Sequence, residues 1–321
     1  YEMIARLVGS EMCIRDRLDT ASDFEKLNLC LAIGNFDGIH KGHQEIINKI
    51  KEIASNNNLL SSIMSFNPHP RIYFNQINEP FNIYTQSDKI NFLEQLGLDI
   101  FIDFSFDNNL SILSADDFVT KILIDKLNIK YLVIGTDFKF GKDRKGNFKT
   151  LEKYAEKNNF NIHLIEPIML ADKSDKYSSS IIRSQIKDGY MEDVTESLGR
   201  PWHMHGTIIE GDKRAREINF PTANMIPDQH ILPKRGVYCV EVLLEGKKYK
   251  GVSNFGLRPT VDGSKLLLET HMFNFSEEIY GKELTVEFLT FIRSEQKFNN
   301  FEELTKQINK DINKAKEYHQ L

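Results

Sequence analysis

Cysteine is scarce: Cys13, Cys30 and Cys239 are the only three in 321 residues. Their wide spacing forms neither a disulfide framework nor a metal pattern. Long apolar runs are missing as well. None approaches the roughly 18 residues of a membrane-spanning helix, and the N-terminal stretch has no apolar segment of leader length. There is no basic excess: 41 Lys and Arg against 46 Asp and Glu leave a net charge of −5. That balance argues against a general nucleic-acid binder, but not against a small anion held in a local cationic pocket. The cytoplasm is therefore the expected compartment. The expected partners are small molecules, with neither nucleic acid nor membrane involved, and the chain is expected as a monomer or weak homo-oligomer.

What is present suits two globular domains. The chain is 40% hydrophobic and 27% charged, enough for an ordinary core in each half. Its first 17 residues stand apart. They carry Arg6, Arg15 and Arg17 but neither Lys nor Asn, whereas the rest is rich in Lys, Asn and Ile. "GSEMCIRDR" resembles a translated sequencing adapter, so residues 1–17 are set aside as non-native and a short native N-terminus is expected to be missing.

From Leu27 the pattern alternates between buried strands ("LNLCLAIG", "LLSSIMSF", "DIFIDFSF", "YLVIG", "FNIHLIEP") and helices. Ile46, Ile47, Ile50 and Ile53 line one helical face, and Ser114 opens "ADDFVTKILIDKL" with N-cap chemistry. Such alternation implies βαβ units on a parallel sheet. After "LGRPW" five strand-like runs follow without intervening helices, which implies an antiparallel barrel or sandwich. A final stripe of Phe301, Leu304, Ile308, Ile312 and Ala315 marks one closing helix. The expected architecture is a Rossmann-like α/β domain over 18–186 and a β-barrel domain with a C-terminal helix over 187–321. The boundary falls between about 183 and 202.

Chemistry concentrates in a few places. "IGNFDGIHKGHQ" (33–44) joins the first strand to the first helix, at the carboxyl edge of the sheet where ligands of open α/β folds sit. A helix start offers unpaired N–H groups and partial positive charge to an anion; Gly38 relieves the turn, and Gly42 allows close backbone approach. His40 and His43 can add donors to phosphate oxygens. A capping pair or half a zinc site are the other readings, the latter lacking a third ligand. The spacing H-x-G-H after a strand and before a helix resembles the signature of the nucleotidyltransferase superfamily. "YSSSIIRSQI" (177–186) resembles its second motif, Ser-x-Thr-x-x-Arg, with Ser178, Ser180 and Arg183 in place and Ser180 where Thr is usual.

Longer stretches narrow the resemblance. "GNFDGIHKGHQ", "SFNPHPRIYF", "GTDFKFGKDRKGN" and "GDKRAREINFPTANM" together are similar to the bacterial bifunctional riboflavin kinase/FMN adenylyltransferases, from about Leu27 to the end. That resemblance implies that Gly34, Phe36, Asp37, His40 and His43 contact ATP, the two histidines stabilising charge on its α-phosphate. It implies that Ser178, Ser180 and Arg183 hold the outer phosphates, and that Asn67 and Asp137 shape the flavin and nucleotide pockets. In the barrel it implies that Thr222 and Asn224 bind a Mg–nucleotide, with Lys213, Arg214 and Arg216 over the phosphates. Asn254, Arg258 and Arg293 would lie on the flavin side. Thr222 and Asn224, two apart in extended chain, point the same way and offer hard oxygens to Mg²⁺.

Glu269 is a carboxylate in an otherwise apolar strand. By pattern alone it either turns out to water or has a function. The resemblance makes it the general base for the ribityl hydroxyl. ATP is the implied co-substrate, and FMN and FAD the products. Two departures stand out: the kinase motif usually has glycines where this chain has Ala215 and Asn219. Asn tolerates left-handed backbone; Ala does not, so a reshaped loop over ATP is expected. Two other functions remain compatible with these residues. One is a nucleotidyltransferase for another small phosphate with a binding-only barrel, which intact Thr222, Asn224 and Glu269 argue against. The other is a flavin-binding regulator with one dead site.

Overall fold

The computed structural model describes residues 3–7, 17–18, 27–77, 79–170, 175–210, 221–226, 231–260 and 263–321. Of these, 3–7, 17–18, 258–260 and 263–265 are described by backbone alone. The chain divides into two compact units, Tyr1–Glu79 with Thr85–Ser178, and Pro80–Tyr84 with Ser179–Leu321.

The sheet of the first unit comprises β1 (Met3–Leu7), β2 (Arg17–Leu18), β3 (Leu29–Ile33), β4 (Leu60–Asn67), β5 (Ile100–Ser105), β6 (Ile129–Gly135) and β7 (Asn161–Ile165), in the order β2-β1-β5-β4-β3-β6-β7. β3 to β7 run parallel. All five residues of β3 are buried, the continuous apolar pattern expected of a strand covered on both faces. β1 lies antiparallel on β5, from Met3 opposite Phe104 to Leu7 opposite Ile100. The segment set aside as non-native thus forms the sheet edge. An open edge accepts strands through backbone bonds alone, so this pairing is compatible with a sequence of any origin.

Helices α1 (Lys41–Asn57), α2 (Gln86–Gln95) and α3 (Phe148–Asn158) connect the strands. α1 buries Ile47, Ile50, Ile53 and Ala54, nearly the face anticipated. α2 opens with a reciprocal capping box between Thr85 and Asp88. Ser114 caps the next helical segment as expected, accepting from Asp117 N at 3.0 Å, but from Phe118 to Ile124 the backbone widens into a π-helix. Phe118, Val119, Ile122 and Leu123 are all buried there.

The second unit starts with α4 (Ser179–Asp188) and α5 (Met191–Leu198). Strands β8 (Trp202–Ile209), β9 (Ala223–Met225), β10 (Gly236–Leu244), β11 (Lys247–Thr260), β12 (Gly263–Met272) and β13 (Glu283–Ser294) close a barrel ordered β10-β11-β12-β9-β8-β13. Trp202, Tyr238 and Phe288 form an aromatic cluster, each of the first two with its ring centroid 5.0 Å from that of Phe288. Helix α6 (Phe301–Tyr318) lays Ile312 and Ala315 against Val237, Cys239, Val252 and Phe273.

The compact division falls before α4, and a five-residue strap, Pro80–Tyr84, belongs to the second unit. Its carbonyls accept three hydrogen bonds: Phe81 O from Arg183 Nε at 3.0 Å, Asn82 O from Ile231 N at 2.8 Å, and Ile83 O from buried Trp202 Nε1 at 2.8 Å. These bonds fix α4 and the start of β8 around one strap.

Candidate active sites

The parallel strands take the order 5-4-3-6-7. Chain direction across the sheet therefore reverses between β3 and β6, the topological switch point where such sheets bind ligands. The loop 34–40 leaves β3 at that point. Gly34 N donates to Met64 O at 3.1 Å, Gly38 takes φ +88°, and Phe36 and Ile39 take positive φ values of 47° and 42°. Both of those side chains are buried, as is Asp37, and this burial holds the loop in a conformation that bulky residues avoid.

His40 is the N-cap of α1. Its Nδ1 accepts from His43 N at 3.3 Å, so in the neutral ring the proton resides on Nε2. The two imidazoles stack at 3.6 Å with an interplanar angle of 17°, and Phe36 lies 5.0 Å from His43. The pair is one ordered unit at a helix start. Gly42 also serves the packing of its own loop. A Cβ there would sit 3.1 Å from Tyr177 Cβ and 3.2 Å from His40 Cε1 and Nδ1, so the missing side chain makes room for the His40 ring.

The other residues named for this site are placed as follows. Asp137 follows β6 and is exposed; Lys176 Nζ donates to it at 3.0 Å and holds its carboxyl below the usual range. Asn67 ends β4 and donates to Asp103 Oδ2 at 3.3 Å. Ser178 closes the first unit, whereas Ser180 and Arg183 lie on α4 of the second. The Arg183 guanidinium stacks 3.6 Å from the Phe81 ring centre and is largely buried.

The barrel brings together residues far apart in sequence. Cross-strand register sets Arg293 beside Val237, Val237 beside Asn254, Asn254 beside Glu269, and Glu269 beside Asn224. Directly opposed residues point to the same face of a sheet, so four candidate residues stand in one row across five strands. That face borders a cavity of about 440 Å³ between the barrel and α6, lined by Thr222, Asn254, Glu269 and Arg293 among others. The volume suits a small-molecule site. Glu269 lines this cavity and is half-buried. Asn254 Nδ2 donates to its Oε2 at 3.3 Å and orients the carboxylate. His271 Nδ1 bonds Pro221 O at 2.9 Å, tying the Pro-Thr turn to β12.

Two features of this site escaped sequence reasoning. Asn224 lies in β9, a three-residue strand inside what reads as a turn, and it is 8% exposed. Its Oδ1 is buried with no hydrogen-bond partner among the described residues. A buried carbonyl oxygen left so costs about 1–3 kcal/mol and is what a hard cation would satisfy. The second feature is Asp311, on the cavity side of α6. Arg293 Nε donates to its Oδ1 and Oδ2 at 3.0 and 2.9 Å and Nη2 to Oδ2 at 2.7 Å, while Gln307 Nε2 adds a bond at 2.9 Å. Asp311→Ala, which strands a largely buried guanidinium, is expected to cost about 3–5 kcal/mol, measurable by urea unfolding. Arg258 is described by backbone alone, and Lys213, Arg214, Ala215, Arg216 and Asn219 lie outside the described residues.

A switch-point loop with paired histidines in one unit, and a carboxylate–amide row beside a cavity in the other, are the two candidate sites. Two family models match: FAD synthetase over residues 23–181 and riboflavin kinase over 198–319. The chain belongs to the family of bifunctional riboflavin kinase/FMN adenylyltransferases. It is 38% identical to the member from Haemophilus influenzae, over 90% of this chain and 93% of that one. The Bacillus subtilis member is also 38% identical (92% and 93% covered), and the Escherichia coli member 34% (90% and 92%). A crystal structure titled as a macrolide-efflux protein from Streptococcus pneumoniae shares the fold, with a TM-score of 0.81 at 30% identity over 91% of this chain and 95% of that one. Among the described residues here, no helix is long and apolar enough to cross a membrane.

Proposed function

We propose that the family's two reactions are divided between the two units as follows. In the barrel, riboflavin lies in the cavity with its ring system against the apolar wall formed by Val237, Val252, Leu304 and Ile308, where Arg293 and Asp311 provide a polar edge. Glu269 accepts the proton of the ribityl 5′-hydroxyl as that oxygen attacks the γ-phosphorus of ATP, giving FMN and ADP. Asn254 holds Glu269 in place. The single observation that carries this assignment is the row joining Asn254, Glu269 and Asn224 on the cavity face.

Thr222 and Asn224 would hold Mg²⁺; the unpartnered Oδ1 of Asn224 and the neutral hard oxygens of both residues fit that ion. When bound, Mg²⁺ supplies charge neutralisation on the nucleotide phosphates. Asn224→Leu removes both the ligand and the stranded oxygen. It is expected to leave the ligand-free protein as stable as the wild type or more so, by about 1–3 kcal/mol. Kinase kcat/KM for Mg–ATP should fall by at least about 10–100-fold, the loss caused even by outer partners of a metal site. Thermal unfolding without ligand and a kinase assay check the two halves.

In the first unit, the phosphate of FMN attacks the α-phosphorus of a second ATP, and pyrophosphate leaves. No covalent enzyme intermediate is needed, because the phosphate is already a nucleophile. Catalysis consists of alignment and neutralisation of crowded negative charge. His40 Nε2 and the His43 ring supply donors at the helix start, beside the loop of Gly34, Phe36 and Asp37. Asn67 and Asp137 border the flavin. Ser178 holds an outer phosphate, a role that rests on the motif. The test is direct: purified protein with riboflavin, Mg²⁺ and ATP, with flavins resolved by chromatography. FMN followed by FAD is expected; FMN alone, or neither, overturns the reading.

A further inference from the structure

A lysine outside every motif lies under the adenylyl-transfer loop. Lys89 is in the first turn of α2, in a segment that reads from sequence only as a helix. Its Nζ donates to Asn35 O at 2.9 Å and to Ser65 Oγ at 3.2 Å. Ser65 Oγ, itself buried, also donates to Asn35 O at 3.1 Å. The carbonyl that precedes Phe36 and Asp37 is thereby held by two donors from two neighbouring elements, α2 and the end of β4. Burial pushes the Lys89 ammonium down from its ordinary range, and the carboxylates of Asp37 and Asp103 hold it up.

The charge arrangement makes this position more than a structural peg. Asp37 is only 4% exposed, and Asp103 takes the Asn67 amide at 3.3 Å. Two carboxylates at the carboxyl edge of the sheet, beside a loop that must receive anions, would repel phosphate if left uncompensated; in low dielectric such repulsion is large. Lys89 is a cation on which the charges of both act.

We infer that Lys89 is a positioning residue for adenylyl transfer: it pins the Asn35 carbonyl, so fixing the loop that leads into His40 and the first turn of α1 that carries His43. The inference rests on the reading that this loop holds the nucleotide. It acts through backbone placement, and a displacement of 1 Å at a reacting group costs up to about 10²-fold in rate.

Full-length Lys89→Met and Lys89→Arg test it, each assayed separately for FMN formation from riboflavin and for FAD formation from supplied FMN. Lys89→Met should lower kcat for FAD formation by about 10–100-fold, while KM for FMN moves by less than about threefold. Its kinase rate should match the wild type. Lys89→Arg, which keeps the charge and the donors, should recover most of the lost kcat. Unchanged kcat in Lys89→Met overturns the inference. So does parallel loss of both activities, because a loop-positioning role touches one reaction only, and so does an arginine variant as slow as the methionine one. Failure of the wild type to form FAD would instead overturn the functional reading itself, a result visible before any variant is compared.

Discussion

Glu269→Gln is expected to cut FMN formation from riboflavin by about 10²–10⁴-fold, the range of a positioned general base, while FAD is still made from supplied FMN. The substitution keeps the shape of the side chain and an oxygen facing Asn254 Nδ2, which now donates to Glu269 at 3.3 Å. What it removes is the capacity to take a proton. Packing should be preserved, because the neighbours along the row, Asn254 and Asn224, are amides that accommodate a third. The loss should therefore appear in kcat rather than in KM for riboflavin, because the change leaves the apolar wall proposed for the ring system untouched. Chromatography of flavins after incubation with either substrate separates the two reactions. A Glu269→Gln protein that phosphorylates riboflavin at the normal rate would leave the row without its base.

The second large effect is the reverse. His43→Ala should stop the sequence at FMN, lowering FAD formation by about 10²–10³-fold, the loss on removing one oxyanion donor, with kinase activity unaltered. His43 is a better target than His40. His40 also caps α1 through Nδ1, and removing a cap costs about 0.5–2 kcal/mol of stability, which would confuse the rate with folding. His43 contributes its ring, stacked 3.6 Å from His40, and its backbone N–H survives the change. Normal FAD formation by His43→Ala would remove the paired imidazoles from the chemistry.

Much of this arrangement was legible in the sequence, for local reasons. The strands from β3 onward, the helix after the H-x-G-H loop and the stripe on α6 rest on periodicity, which needs only neighbouring residues. Glu269 stood out as a charge in an apolar strand. What escaped depends on distant partners. β9 is three residues long, and only its pairing with β12 makes it a strand. The strap Pro80–Tyr84 carries no pattern of its own; its role arises from donors at 183, 202 and 231. Lys89 and Asp311 sit at helical positions where charged residues are ordinarily solvated, and only the loop above one and Arg293 opposite the other draw them inward. The closeness of His40 and Tyr177 to Gly42 likewise appears only in the folded chain.

The claim beneath all of this is that each half works its own nucleotide chemistry and hands over free FMN. Mixing the two inactive partners tests it most directly. Glu269→Gln and His43→Ala proteins, neither of which should turn riboflavin into FAD alone, are combined with riboflavin, Mg²⁺ and ATP. Appearance of FAD in the mixture, rising after FMN, is the predicted result. FMN that accumulates without conversion in the mixture would contradict it.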